Sequence, residues 1–341
     1  MPGTTSPRVI APKRIVVFAP RFIGDMVNAG PALQILVNNH PQAEIYIVAR
    51  PYLAPVCTRL GDFFFIADER KSHKAKGVLQ LIDKIKRAQC DIAVLLTNTF
   101  IDAAIVRLAG VPIRIGYKNE GRSFLLTQSL RKNPNRHYIN RYAYLANEVC
   151  RNAEKLLPSS MLRVSPFVLP ETAKTTTLAL YFGCESKTLR FYPLEATIQL
   201  LDRLSCSYSV RFVIIGASNE NEAAQRMIEQ LSSDVECVNL CGKTALEEMI
   251  DVIAATDGVI TIDSSPLHIA SALNKPLVVL EGQGFSAFSC IQPKNKDAWV
   301  ASSQWQFIND EDQVLDIPVE HIEQAVAQMM KAIDLLKNPT I

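Results

Sequence analysis

The chain has 341 residues, of which 48% are hydrophobic and 21% charged, and its formal net charge is +2 at pH 7. This length suits two domains, the composition is that of a globular protein, and the small net charge gives no electrostatic reason to expect nucleic-acid binding. No run approaches the roughly 18 apolar residues of a membrane span, and the beginning of the chain lacks a signal-peptide core, so the sequence predicts a cytoplasmic protein. The eight cysteines are scattered, mostly in apolar runs, and predict reduced thiols rather than disulfides.

The first half alternates continuous apolar runs with helical patterns. Continuous rather than alternating runs indicate strands that are covered on both faces, which is typical of a parallel sheet. Strands are predicted at 14–19, 44–49, 63–68 and 91–97, and helices within 25–39, near 77–88 and at 137–153.

The pattern stops between about 157 and 176, where three prolines and many small polar residues indicate a linker. It then restarts, with strands predicted at 178–182, 210–216, 236–240, 258–262 and 276–281, and helices at 193–204, 219–231, 245–255, 266–273 and 319–337. The sequence therefore predicts two Rossmann-like α/β domains that face each other across a cleft. The predicted boundaries are an N-terminal extension at 1–13, a first domain at 14–160, a linker at 161–176 and a second domain at 177–341.

The first strand is followed by Gly24 and Asp25 rather than by a G-x-G-x-x-G sequence, and no Walker sequence occurs in the chain. Dehydrogenases and P-loop NTPases are therefore disfavoured. Asp25 has two interpretations. It is either the N-cap of the following helix or a general base at the carboxyl end of the strand, where a carboxylate can reach a substrate hydroxyl.

A second strand–loop–helix segment contains Asp263, Ser264, Ser265, Pro266 and His268. Exposed N–H groups at a helix N-terminus, extended by hydroxyl side chains, suit an anion such as a nucleotide diphosphate. The alternative is a serine-capped helix with a satisfied histidine. Two potential ligands without a third do not make a metal site, so neither a metal nor another cofactor is expected.

Basic loop residues supply further candidates. Lys187 and Arg190 follow the first strand of the second half, where they could meet a pyrophosphate. Basic residues of the first half are candidates for binding an anionic acceptor, although a solvated loop is the default for each: Arg70, Lys71, Lys74 and Arg122.

Several segments, by their order and spacing along nearly the whole chain, carry a family resemblance. They include RFIGDMVNAGPALQIL and HYINRYAYLA in the first half, and IIGASNENEAAQRMI and TIDSSPLHIASALNKPLVVL in the second. The chain resembles glycosyltransferase family 9, the ADP-heptose:lipopolysaccharide heptosyltransferases, and particularly the heptosyltransferase II branch. The resemblance implies a GT-B fold and inverting transfer of heptose from ADP-heptose to a lipid A–core acceptor that ends in Kdo or heptose. It also implies transient contact with the inner membrane surface.

The resemblance assigns roles to individual positions. It implies that Asp25 is the catalytic base, that Asp263, Ser264, Ser265 and His268 belong to the donor site, and that Arg190 replaces a family lysine. Two further departures concern the donor loop. Ser265 replaces a glycine, and 281–283 reads Glu-Gly-Gln where the family has Phe-Gly-Pro.

Three alternatives remain open at this point. They are a family 9-like transferase that uses another nucleotide sugar, a sugar-nucleotide 2-epimerase with the same two-domain layout, and a degenerate member without catalysis.

Overall fold

The computed structural model of the chain describes residues 12–150, 155–158, 162–183, 191–282, 287–303 and 314–338. The chain divides into two compact units, Met1–Ser160 and Met161–Ile341. Each unit is built on a six-stranded sheet in which the paired strands run parallel. In the part of the chain that the structure describes, no helix combines the length and the hydropathy needed to cross a membrane.

The first unit alternates strands and helices from its first strand onward. Its strands are β1 (Arg14–Phe18), β2 (Glu44–Ala49), β3 (Phe64–Ala67), β4 (Ile92–Leu95), β5 (Ile113–Tyr117) and β6 (Gln128–Leu130). Its helices are α1 (Ile23–Asn28), α2 (Gly30–Asn39), α3 (Ala54–Leu60), α4 (Arg70–Ala88), α5 (Phe100–Leu108) and α6 (Tyr138–Asn147). Every residue of β4 is buried, as expected of a central strand that is covered on both faces.

The second unit repeats the alternation. Its strands are β7 (Thr176–Tyr181), β8 (Val210–Ile214), β9 (Glu236–Asn239), β10 (Gly258–Ile262), β11 (Leu277–Glu281) and β12 (Ala298–Ser302). Its helices are α7 (Leu194–Ser207), α8 (Asn221–Ile228), α9 (Leu246–Ala255), α10 (Ser265–Ala272) and α11 (Val319–Lys337). The described segment 162–175, just before β7, contains no helix or strand.

Strand order locates the places where a ligand can enter each sheet. The first sheet has the order β3-β2-β1-β4-β5-β6, and the second has β12-β11-β10-β7-β8-β9. The chain reverses its direction of travel between β1 and β4 in the first unit and between β7 and β10 in the second. Loops diverge at such a reversal and leave a crevice beyond the carboxyl ends of the strands. The residues that follow these four strands are therefore the first to consider for function.

The strands and helices predicted above do not include five elements: α3, α5, β5, β6 and β12. Of these strands, β6 and β12 lie at edges of their sheets and are only partly buried, so they lack the continuous apolar runs of the central strands. The helix predicted within 25–39 is two helices, and Pro31 occupies the second position of α2, where its missing N–H breaks no helical hydrogen bond.

Candidate active site

Asp25 lies in the first turn of α1, directly after β1 at the reversal point of the first sheet. The N-cap of α1 is Phe22, and no side chain caps this helix. The helix-cap interpretation of Asp25 is therefore wrong, because Asp25 is the third residue of the helix and not its N-cap. A half-buried carboxylate at this position complements the positive end of the helix and remains accessible from the crevice.

Asp25 lines a pocket of about 260 Å³ within the first unit. The other walls come mainly from the segment after β4, from the end of β5 and from α6. Most residues of these walls carry a polar group on the side chain, and they are Arg21, Thr97, Asn98, Thr99, Tyr117, Lys132, Tyr138, Arg141 and Tyr142. Burial, and then the charge of Asp25, raise the pKa of Tyr142 well above its usual value, so this phenol stays protonated. The pocket combines a carboxylate, hydroxyls and cations, which suits a polyhydroxylated ligand that carries negative charge.

Arg122 does not face this pocket, which corrects its expected role in acceptor binding. Its side chain is fully buried, and its guanidinium donates to the carbonyl oxygens of Tyr117 (2.9 Å), Thr99 (3.0 Å) and Thr97 (2.9 Å). Gly116 makes room for it, since a Cβ there would lie 3.1 Å from Arg122 Nη2. Arg122 therefore fixes the backbone segment after β4 that forms one wall of the Asp25 pocket.

Arg70 also differs from its expected role. Its guanidinium makes a two-pronged contact with Asp68 (2.8 and 2.7 Å) and reaches Asp102 at 2.7 Å, with only 10% of the side chain exposed. These contacts fix the start of α4 against the start of α5. Lys71 and Lys74 remain exposed, as an acceptor-binding role requires, and the left-handed φ of 44° at Lys74 interrupts the helical backbone of α4.

The predicted donor loop lies at the reversal point of the second sheet. Asp263 follows β10, Ser264 is the N-cap of α10 in an extended conformation, and Ser265 is the first helical residue. Ser264 makes no side-chain capping hydrogen bond, so the first N–H groups of α10 are not capped by it. His268 is buried in the fourth helical position, and Glu281 ends the neighbouring strand β11. Lys187 and Arg190 fall outside the described residues.

A second pocket, which the sequence analysis did not find, has a volume of about 360 Å³ and lies beside β7 and β8 in the second unit. Its lining is mainly apolar and includes Phe182, Gly183, Phe191, Ile215 and Met227. It opens at the edge of the sheet that also carries Asp263, because all strands of this sheet run parallel. An apolar pocket at the same sheet edge as a helix N-terminus is an arrangement that suits a nucleotide.

Glu220 holds the loop beside this second pocket. The carboxylate is buried, and it accepts hydrogen bonds from the Tyr181 hydroxyl (3.0 Å) and from the N–H of Ala217 (2.6 Å). Gly216 allows this close approach, because a Cβ there would lie 2.8 Å from the Glu220 carboxylate and 2.9 Å from Cys241 Sγ. The sequence signal for this loop is the glycine that ends the predicted strand 210–216, with Glu220 four residues after it.

Comparison with known proteins decides the family. The model of glycosyltransferase family 9 (heptosyltransferase) matches residues 78–305. The chain belongs to glycosyltransferase family 9. The resemblance inferred from the sequence is thereby confirmed, and with it the expectation that this chain is a glycosyltransferase.

Individual family 9 members are similar over most of the chain. Lipopolysaccharide heptosyltransferase 2 of Escherichia coli (strain K12) is 28% identical over 299 residues, covering 81% of this chain and 84% of that protein. Lipooligosaccharide heptosyltransferase 2 of Haemophilus influenzae is 28% identical over 289 residues, covering 79% and 83%. The solved structure of E. coli ADP-heptose LPS heptosyltransferase II superposes with a TM-score of 0.76 at 25% identity, covering 94% of this chain and 99% of that one. The predicted GT-B α/β fold is confirmed by this match and by the two parallel sheets.

Proposed function

We propose that this family 9 member is an inverting heptosyltransferase that transfers heptose from ADP-heptose to the inner core of lipopolysaccharide. The observation that carries the proposal is the position of Asp25, in a pocket lined mostly by residues with polar groups at the reversal point of the first sheet. The relatives named above, which are heptosyltransferases of lipopolysaccharide or lipooligosaccharide, support the choice of donor and acceptor.

Asp25 is the general base in this proposal. A hydroxyl of the acceptor sugar gives its proton to the Asp25 carboxylate and forms a bond to the anomeric carbon of the donor. The bond from that carbon to the β-phosphate oxygen breaks in the same displacement, so the anomeric configuration inverts and ADP leaves with the bonding electron pair. Correct placement of the hydroxyl and proton removal both lower the barrier.

The second unit binds the donor in this proposal. The start of α10, with Asp263, Ser264 and Ser265, and with His268 in its first turns, holds the diphosphate and sugar, and the apolar pocket beside β7 and β8 takes the nucleoside. Lys187 and Arg190 supply positive charge for the departing ADP, as their place in the sequence suggests. N–H groups and cations stabilise the charge that develops on the leaving phosphate.

The first unit binds the acceptor in this proposal. Lys71 and Lys74 are exposed and attract its anionic groups. Arg70 and Arg122 instead hold the backbone segments around the site through their internal contacts. The protein works in the cytoplasm and touches the inner membrane surface, because the acceptor is attached to a lipid.

The test is a transfer assay with purified lipopolysaccharides of defined core length. The protein is incubated with ADP-heptose and each acceptor, and the products are weighed by mass spectrometry. We expect one acceptor to gain the mass of one heptose, with release of an equal amount of ADP. A matched incubation without acceptor serves as the control.

Two other outcomes would contradict the proposal. Consumption of ADP-heptose at full rate without acceptor would indicate an epimerase or hydrolase. Tight ADP binding without any product, across all acceptors and nucleotide sugars tried, would indicate a non-catalytic member of the family.

A further inference from the structure

The carboxyl edge of the first sheet carries a group of exposed aromatic side chains. Because all strands of this sheet are parallel, every segment that follows a strand emerges at this same edge. Phe22 follows β1, Tyr52 follows β2, Phe100 follows β4 and Phe124 follows β5. They are 73%, 53%, 41% and 70% exposed, respectively. Single exposed aromatics are common on proteins, but a group gathered on one edge indicates a binding surface.

Contacts join these side chains in two pairs, and both pairs lie beside the Asp25 pocket. The rings of Phe100 and Phe124 lie 6.1 Å apart, and the Tyr52 hydroxyl donates to the carbonyl of Arg21, the residue before Phe22. Phe22 and Thr99, the neighbour of Phe100, both line the Asp25 pocket. The aromatic group therefore borders the mouth of this pocket, and we call Phe22, Tyr52, Phe100 and Phe124 the aromatic rim.

The exposed charges of the same edge are mostly positive. Exposed cations follow β1, β3, β5 and β6, and they include Arg21, Lys71, Lys118, Arg131 and Lys132. Glu120 is an exposed carboxylate on this edge, and it accepts a hydrogen bond from the Phe100 N–H (2.8 Å). Aromatic rings flanked by lysine and arginine match the interface of an anionic bilayer, where rings enter the headgroup layer and cations meet lipid phosphates.

We propose that the aromatic rim and its surrounding cations form a docking surface for an anionic lipid bilayer, which turns the mouth of the Asp25 pocket toward the membrane. The charge complementarity selects this partner over a neutral apolar one. The purpose of docking rests on the proposed function, since a lipid-linked acceptor presents its sugars at the bilayer surface.

The test measures vesicle binding by flotation, using phosphatidylcholine vesicles with and without phosphatidylglycerol. Phe100→Ser combined with Phe124→Ser removes rim residues that do not line the Asp25 pocket. We expect this variant to bind phosphatidylglycerol vesicles about tenfold more weakly. The matched control is Leu335→Ser combined with Leu336→Ser, which removes two exposed apolar side chains (63% and 62%) from α11 in the second unit, and it should bind normally.

A second variant tests the charges independently of the aromatic rings. Lys118→Gln combined with Arg131→Gln should weaken binding to phosphatidylglycerol vesicles severalfold. Its melting temperature should stay unchanged. Equal vesicle binding by the wild type, the rim variant and the charge variant would overturn the proposal. Loss of a concentration-dependent dimer in the rim variant, with vesicle binding unchanged, would make the rim a self-association surface and also overturn it.

An activity measurement separates this proposal from the proposed function. The rim variant should transfer heptose normally to a delipidated core oligosaccharide and more slowly to the acceptor embedded in vesicles. Equal rates on the two acceptors would overturn the docking role while the transferase function stands. Absence of transfer to both acceptors by the wild type would contradict the function and leave the vesicle-binding result to decide the surface.

Discussion

The loops at the two candidate sites are held by buried charges of opposite sign. In the first unit, the Arg122 guanidinium donates to three backbone carbonyls around the segment after β4. In the second unit, the Glu220 carboxylate accepts from one backbone N–H and one tyrosine hydroxyl beside the loop after β8. Each charge is compensated by polar groups of its own unit, because an uncompensated buried charge would be costly.

In both units, buried charged side chains hold the loops of the candidate site, and other, accessible groups are left to bind a ligand. The Arg122 and Arg70 guanidiniums donate to groups inside the first unit, whereas Asp25 lies on the wall of a pocket that neither arginine lines. The same division in the second unit leaves the start of α10 at the sheet edge and Glu220 in the interior. Substitution of an accessible group should therefore change turnover or ligand binding, whereas substitution of a buried charge should mainly change the free energy of unfolding.

The largest effect is expected at Asp25. Asp25→Asn keeps the size of the side chain but cannot accept the acceptor's proton, so the turnover number should fall about 10²- to 10⁴-fold. The dissociation constant of ADP, measured by calorimetry, should stay unchanged because we place the donor in the second unit. Near-normal turnover with a lowered melting temperature would show that the Asp25 carboxylate is structural.

The next effect is expected at Arg122. Arg122→Met leaves three carbonyl oxygens without their donor and should lower the free energy of unfolding by about 3 kcal/mol. Arg122→Lys should recover only part of this, since one ammonium cannot reproduce the planar fork. Urea denaturation measures both values.

A buried arginine of the second unit is the matched control for Arg122. Arg211 is also buried, and it donates to the Thr177 hydroxyl (3.0 Å) and to the carbonyl of Pro170. Arg211→Met should destabilise the protein but leave the turnover number unchanged at temperatures where it is folded. Arg122→Met should lower the turnover number there, because it loosens the wall of the Asp25 pocket. An equal turnover number in the two variants would reduce Arg122 to a purely structural role.

The parts of the fold that sequence predicts well are those that local patterns determine. The continuous apolar run at 14–19 predicted β1, and the turn residues around Asp263 predicted the start of α10. Both candidate sites follow from these elements, since a strand followed by a short loop and a helix places its polar residues at the carboxyl edge. The positions of Asp25 and Asp263 at reversal points needed only the order of the strands in addition.

The roles of Arg70 and Arg122 depend on residues that lie far away in the sequence. The partners of Arg122 include Thr97 and Thr99, more than twenty residues upstream, and Arg70 reaches Asp102, in the first turn of a helix absent from the prediction. A basic residue in a polar stretch looks the same whether it is solvated or buried. Only the tertiary contacts separate the exposed Lys71 from the partly buried Arg70 beside it.

The smallest effect is expected in the second unit, at the contact between Tyr181 and Glu220. Tyr181→Phe removes only the hydroxyl that donates to Glu220, and the Ala217 N–H still compensates the carboxylate. The loop beside the apolar pocket should loosen slightly, so the dissociation constant of ADP should rise about threefold to tenfold, equivalent to roughly 1 kcal/mol. The turnover number at saturating donor should not change, because Asp25 and its pocket belong to the first unit. Thr256→Val is the matched control, since it removes a buried hydroxyl of the same unit that donates to the carbonyl of Ile253 (2.9 Å) and does not line this pocket. If both variants weaken ADP equally, the effect comes from general loosening of the unit, and the nucleoside must be sought outside the pocket beside β7 and β8.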